Sequence, residues 1–133
     1  MDKPKIGFIA GCFDRFHEGH EFIISEAKKY CDRLYVGLNI DKYIIEKKGR
    51  KPYSWDKRAR ELEKRGAWAV LPFYSNPIDI ILNHKPDYIF VGDDYTETQV
   101  IGAKECVEWG GRVIIIPRIP NISTTNIIKQ SNK

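Results

Sequence analysis

The chain has 133 residues, 42% of them hydrophobic and 30% charged, with a formal net charge of +4. That is the size of a single domain, spanning 1–133, with a core of its own, and the composition is that of a soluble globular protein rather than a disordered or fibrous one. No apolar run approaches the ~20 residues a bilayer span needs, the opening MDKPKIGFIAG lacks the apolar segment of a signal peptide, and Cys12, Cys31 and Cys106 are too scattered for a disulfide framework or a zinc site, so a cytoplasmic protein with reduced thiols is expected.

Short apolar runs rich in β-branched or aromatic residues predict strands at 5–10, 33–39, 67–72, 88–91 and 113–116. Helical spacing predicts helices at 18–30, 54–65, 77–83, 98–109 and 124–130. The punctuation agrees: Asn76-Pro77 supplies a cap and an N1 proline, Gly110-Gly111 closes the helix before it, and Ser123 or Thr124 caps the last one. Strict alternation of strand and helix, with no linker, repeat or low-complexity stretch, gives an α/β fold with a doubly wound parallel five-stranded sheet.

In such a sheet the ligand crevice lies beyond the carboxyl ends of the strands, where helix N-termini offer free N–H groups to anions. The first strand runs into GCFDRFHEGH, residues 11–20, at that place. Gly11 and Gly19 allow close backbone approach, and His17 and His20 are donors suited to a phosphoryl oxygen; two histidines there also suit a helix cap. Ten cations from Lys42 to Arg65 crowd one quarter of the chain. With few interleaved aromatics and no RNA-binding signature, they fit polyphosphate better than nucleic acid.

The decapeptide resembles the GxFDxxHxGH signature of the cytidylyltransferase-like nucleotidyltransferases, and ISTT at 122–125 resembles their second signature. The resemblance implies a Rossmann-like nucleotidyltransferase fold and in-line attack of an acceptor phosphate on the α-phosphorus of a nucleoside triphosphate, with pyrophosphate leaving. His17, His20 and a lysine of the basic loop EKKGRKPYS, Lys48 first and Lys51 second, are the implied catalytic and phosphate-binding groups. Gly11, Cys12, Phe13, Asp14 and Gly19 are implied in nucleotide binding, Asp14 as a support of the turn or a ligand contact. Gly92 and Asp93 of FVGDDY would line the nucleoside pocket, and Arg118, Ile122, Ser123 and Thr124 would hold the pyrophosphate end. Mg²⁺ is expected to arrive mainly on the triphosphate, with few protein ligands, and a homodimer without nucleic-acid or membrane partners is implied.

Two branches of the family compete. Asp93, Arg118 and the small size resemble glycerol-3-phosphate cytidylyltransferase, which makes CTP and an acceptor such as glycerol 3-phosphate the first reading. GCFD, VGLNID and residues 100–117 resemble the domain that adenylylates heptose 1-phosphate, which makes ATP and a sugar 1-phosphate the alternative. A non-catalytic nucleotide-binding module is the third. Residues 65–70, RGAWAV, depart from the RYVDxV of many cytidylyltransferases; Arg65 is placed to supply the missing charge, and Trp68 implies a changed acceptor pocket or subunit contact.

Overall fold

The computed structural model describes residues 3–92 and 100–117. Five strands, β1 (Ile6–Gly11), β2 (Arg33–Asn39), β3 (Ala69–Phe73), β4 (Tyr88–Gly92) and β5 (Arg112–Ile116), form one sheet in the order β3-β2-β1-β4-β5. Every pairing is parallel. The helices are α1 (Glu18–Lys28), α2 (Asp41–Lys48), α3 (Trp55–Lys64), α4 (Ile78–His84) and α5 (Ala103–Glu108).

Side chains of successive strand residues point to opposite faces, and both faces here are apolar. Ile9, Leu34, Val36, Leu38 and Phe90 pack with Ile24 and Ala27 of α1 and Ala59 and Leu62 of α3. Phe8 and Ile89 pack with Ile81 of α4 and Cys106 of α5 on the other face. Near-continuous apolar strands covered on both sides are what a parallel sheet requires. Among the described residues no helix is long and apolar enough to cross a membrane.

Two elements differ from the sequence reading. The segment read as a basic loop after Asp41 begins with a helix, α2, whose last residue is Lys48. Only Ile44 of α2 is buried and no side chain caps its start, so neither periodicity nor a cap residue marks it. Gly49, with φ 71°, ends it in the left-handed conformation that glycine adopts without strain. The helix expected over 98–109 starts at Ala103, behind a turn at Gly102. The expected helix at 124–130 lies outside the described residues.

Strand pairing positions the site. β1 pairs with β2 along six residues, from Ile6 to Gly11, but with β4 only at Gly7 and Phe8. Chain order reverses between β1 and β4, and the two strands part toward their carboxyl ends, which opens the crevice that α/β sheets use for ligands.

Candidate nucleotide site

A cleft of about 370 Å³ fills that crevice. Gly11, Cys12, Phe13 and His20 line it from the β1–α1 turn, Gly92 from the end of β4, and Asn39, Tyr43, Phe73 and Ser75 from the β2 and β3 side.

The turn places its histidines by hydrogen bonding. His17 is the N-cap of α1, and its Nδ1 accepts the Gly19 amide at 3.0 Å; His20 reaches back so that its own Nδ1 accepts the His17 amide at 3.3 Å. This is a capping box built from two imidazoles, and it satisfies two of the donors a helix start leaves free. The rings stack with centroids 3.9 Å apart. Phe13 supports His20 from inside, edge-on at 5.1 Å, and holds a backbone φ of 41° to do so. A left-handed conformation costs a non-glycine residue roughly 1–2 kcal/mol, and burial of the Phe13 ring offsets it.

A nitrogen that accepts an N–H cannot carry a proton in the neutral ring. Both histidines therefore bear hydrogen on Nε2, the nitrogen not used by the cap, and both keep a donor for a ligand. Burial, then the charges of His17 and Lys48, push His20 down to about 4, so it is neutral at physiological pH. Capping and phosphate donation are thus compatible, because they use different nitrogens.

Arg58 ties the surrounding loops together. It is 2% exposed, and its guanidinium donates to the carbonyls of Tyr53, Cys12 and Asn39 at 2.8–2.9 Å and to Asp41 Oδ1 at 2.6 Å. One side chain so fixes the β1–α1 turn, the end of β2, the start of α2 and the approach to α3. In the sequence Arg58 is one of ten cations between Lys42 and Arg65, and nothing local singles it out. Asn39 adds a second tie, donating to the Tyr74 carbonyl at 2.8 Å and accepting the Cys12 thiol at 3.4 Å. Burial pushes the Cys12 thiol up, consistent with a lining rather than a nucleophilic role.

The implied site residues fall into three groups. His17, Gly19 and His20 form the cap, Gly11, Cys12, Phe13 and Gly92 line the cleft, and Lys48 lies close enough to His20 and Cys12 for its charge to act on both. Asp14 is buried beside them and pairs with Arg50, a residue the sequence reading did not single out. Lys51 is exposed, and no described contact ties it to the cleft. Asp93, Arg118, Ile122, Ser123 and Thr124 lie outside the described residues. Arg65 does not take the place of a cleft arginine: Glu61 at 2.9 Å and Glu21 at 3.2 Å hold it, with its guanidinium 4.3 Å over Phe16. Trp68 is on the surface, with Arg33 stacked over it at 4.4 Å.

The family model described as cytidylyltransferase-like matches residues 8–130. Two proteins named bifunctional protein HldE, from Paramagnetospirillum magneticum and Methylobacillus flagellatus, are 39% and 42% identical over 96% and 95% of the chain. The chain spans only 27% of the length of either. Among solved structures, the lipopolysaccharide core biosynthesis protein of Thermoplasma volcanium superposes with a TM-score of 0.69 at 21% identity, over 88% of this chain and 98% of that one. Pantothenate synthetase of Thermus thermophilus gives 0.62 at 14%, over 86% and 56%. These two are likenesses of fold.

Proposed function

The chain belongs to the cytidylyltransferase-like family of nucleotidyltransferases, and we propose that it transfers the adenylyl group of ATP to a sugar 1-phosphate of the heptose 1-phosphate type, releasing pyrophosphate. The choice of ATP rests on the relatives named HldE, whose match runs through nearly the whole chain, including GCFD, VGLNID and residues 100–117, the stretches that resemble the heptose 1-phosphate adenylylating domain. Of the features that favour CTP and glycerol 3-phosphate, Asp93 and Arg118 lie outside the described residues, and the small size does not bear on the base. Adenylyl transfer accordingly replaces cytidylyl transfer as the main reading.

The observation that carries the chemistry is the pair of stacked imidazoles, His20 lining the cleft and His17 exposed beside it, each with its Nε2 left out of the cap. An oxygen of the acceptor phosphate attacks the α-phosphorus, the bond from that phosphorus to the α–β bridging oxygen breaks, and pyrophosphate departs with the electron pair. The acceptor is already anionic, so no general base is required. His17 and His20 donate to oxygens that gain charge as the bond breaks, and Lys48 follows that charge as a mobile cation. Most of the acceleration then comes from positioning and charge neutralisation.

Mg²⁺ on the triphosphate would neutralise further charge there. Among the described residues no group of three or more His, Cys, Asp or Glu side chains gathers to hold a metal. Tyr43, Phe73 and Ser75, at the far end of the cleft from Gly92, form the wall against which the acceptor would sit. The proposal includes a homodimer in solution, which light scattering tests.

Thermal unfolding with each nucleotide tests the choice of base, because at equal concentration the nucleotide that binds the folded state more tightly stabilises it more. ATP should raise the midpoint at concentrations where CTP leaves it unmoved. An equal or larger rise with CTP would return the reading to cytidylyl transfer.

A further inference from the structure

Arg50 follows the left-handed turn at Gly49, which sends the chain out of α2 toward the β1–α1 turn. Its Nη1 stands 2.5 Å from Oδ2 of Asp14. The Asp14 side chain is 6% exposed and that of Arg50 43%, so one partner is fixed in the protein and the other faces solvent. Among the described residues neither carboxylate oxygen of Asp14 has a partner of good hydrogen-bond geometry, and the close Arg50 guanidinium is the charge that balances it.

Burying a carboxylate without hydrogen bonds is costly, and an apolar side chain would fill the turn with less penalty. Position gives the reason for a charge there. Asp14 acts electrostatically on His20 and Arg50 on Cys12, and both His20 and Cys12 line the cleft. The pair therefore borders the nucleotide site beside the histidine cap. A guanidinium is a planar fork with five N–H donors. With Nη1 at Asp14, the remaining donors of Arg50 have no other partner among the described residues.

We propose that Arg50 is a phosphate ligand of this site and that Asp14 is its positioning residue, holding one arm of the guanidinium so that the other faces a substrate phosphate. The inference rests on the nucleotidyl-transfer reading for the identity of the phosphate. Lys48 and Arg50 then divide the work by chemistry. The ammonium tracks moving charge, and the guanidinium, kept beside the site by the charge of Asp14, grips a phosphate through two parallel hydrogen bonds.

Calorimetric binding of ATP and of inorganic pyrophosphate to the full chain, with pyrophosphate-release kinetics alongside, tests this on R50Q, R50K, D14N and the R50Q/D14N double variant. R50Q should weaken binding of one or both anions about tenfold, as expected for loss of a charged bidentate contact. R50K should recover less than half of that loss, because an ammonium cannot hold Asp14 and grip a phosphate in the same plane. D14N should weaken binding while Arg50 is present and add nothing when it is absent, since a residue acting through another gives a non-additive cycle. Wild-type affinity in R50Q, or additive losses in the double variant, would overturn the proposal.

Should D14N fail to fold, the comparison of R50Q with R50K, made on an exposed side chain, decides the matter alone. Binding that depends on Arg50 without any turnover would remove the transfer reading and leave Arg50 as a phosphate ligand. Normal turnover with R50Q binding like the wild type would do the reverse.

Discussion

His17 and His20 stack with each ring fixed in one tautomer by a backbone amide that its Nδ1 accepts. His20 Nδ1 accepts the amide of His17, His17 Nδ1 accepts the amide two residues on, and the rings stack at 3.9 Å. The HEGH spacing is the spacing of a capping box, in which the third residue of the helix reaches back to the cap. The geometry that starts α1 also leaves two Nε2–H donors for the substrate. On the proposed mechanism, local folding and phosphate recognition are one arrangement of atoms.

Gly19 is required by that arrangement. A Cβ built there would stand 2.8 Å from Cε1 and 3.1 Å from Nδ1 of His17. Gly19→Ala should therefore push the imidazole off its cap. The lost cap costs about 1 kcal/mol, while alanine regains nearly as much in helix propensity. Melting temperature should move little and turnover should fall at least about tenfold, as for a misplaced catalytic group. An active Gly19→Ala variant would remove the histidine cap from the mechanism.

The depressed His20 pKa makes stability depend on pH. The unfolded ring binds its proton near 6.5 and the folded one near 4, so between those values the unfolded state holds more protons. The contribution is complete above pH 6.5 and is lost as pH falls toward 4, by roughly 1–2 kcal/mol once solvent screening of the half-exposed ring is allowed for. His20→Gln keeps an acceptor at the third helical position, as ordinary capping boxes do, but does not titrate. Urea unfolding from pH 7 to pH 4 should show a shallower loss for His20→Gln than for the wild type; parallel curves would contradict the account.

Arg58 is the fastener of the cleft wall. Arg58→Met would leave Asp41 without its 2.6 Å partner and three carbonyls without donors. Leaving buried carbonyls unpaired typically costs about 1–3 kcal/mol, and the part-exposed Asp41 adds little to that. Urea unfolding should register a loss of that order, and nucleotide affinity should fall with it because the β1–α1 turn and the start of α2 lose their tie. A loss below about 1 kcal/mol, the range of a surface ion pair, would show that the ties are incidental.

The strands were legible because each is a short apolar run, buried at the centre of the sheet and half-buried at its edges, and observed bounds differ from expected ones by at most two residues. The HEGH turn was legible because its chemistry is local, contained in four consecutive residues. α2 was not, since a helix with one buried residue, Ile44, and an uncapped start leaves almost no periodic trace. Its stop signals, Lys47 and Lys48 before Gly49, were present but read as a charge run. Arg58 and Arg50 were hidden for a different reason. Ten cations crowd that segment, and only tertiary structure distinguishes the one buried under four hydrogen bonds and the one beside Asp14 from those in solvent. Arg65 shows the converse, a cation whose charge is taken up by Glu21 and Glu61.

Steady-state pyrophosphate release, with ATP or CTP against a panel of sugar 1-phosphates and glycerol 3-phosphate, bears most directly on the central claim. Release should require ATP and a sugar 1-phosphate together, with CTP at least about tenfold poorer in kcat/KM, a difference of 1.4 kcal/mol in transition-state binding. Release with CTP and glycerol 3-phosphate, or none with any pair although a nucleotide binds tightly, would contradict it.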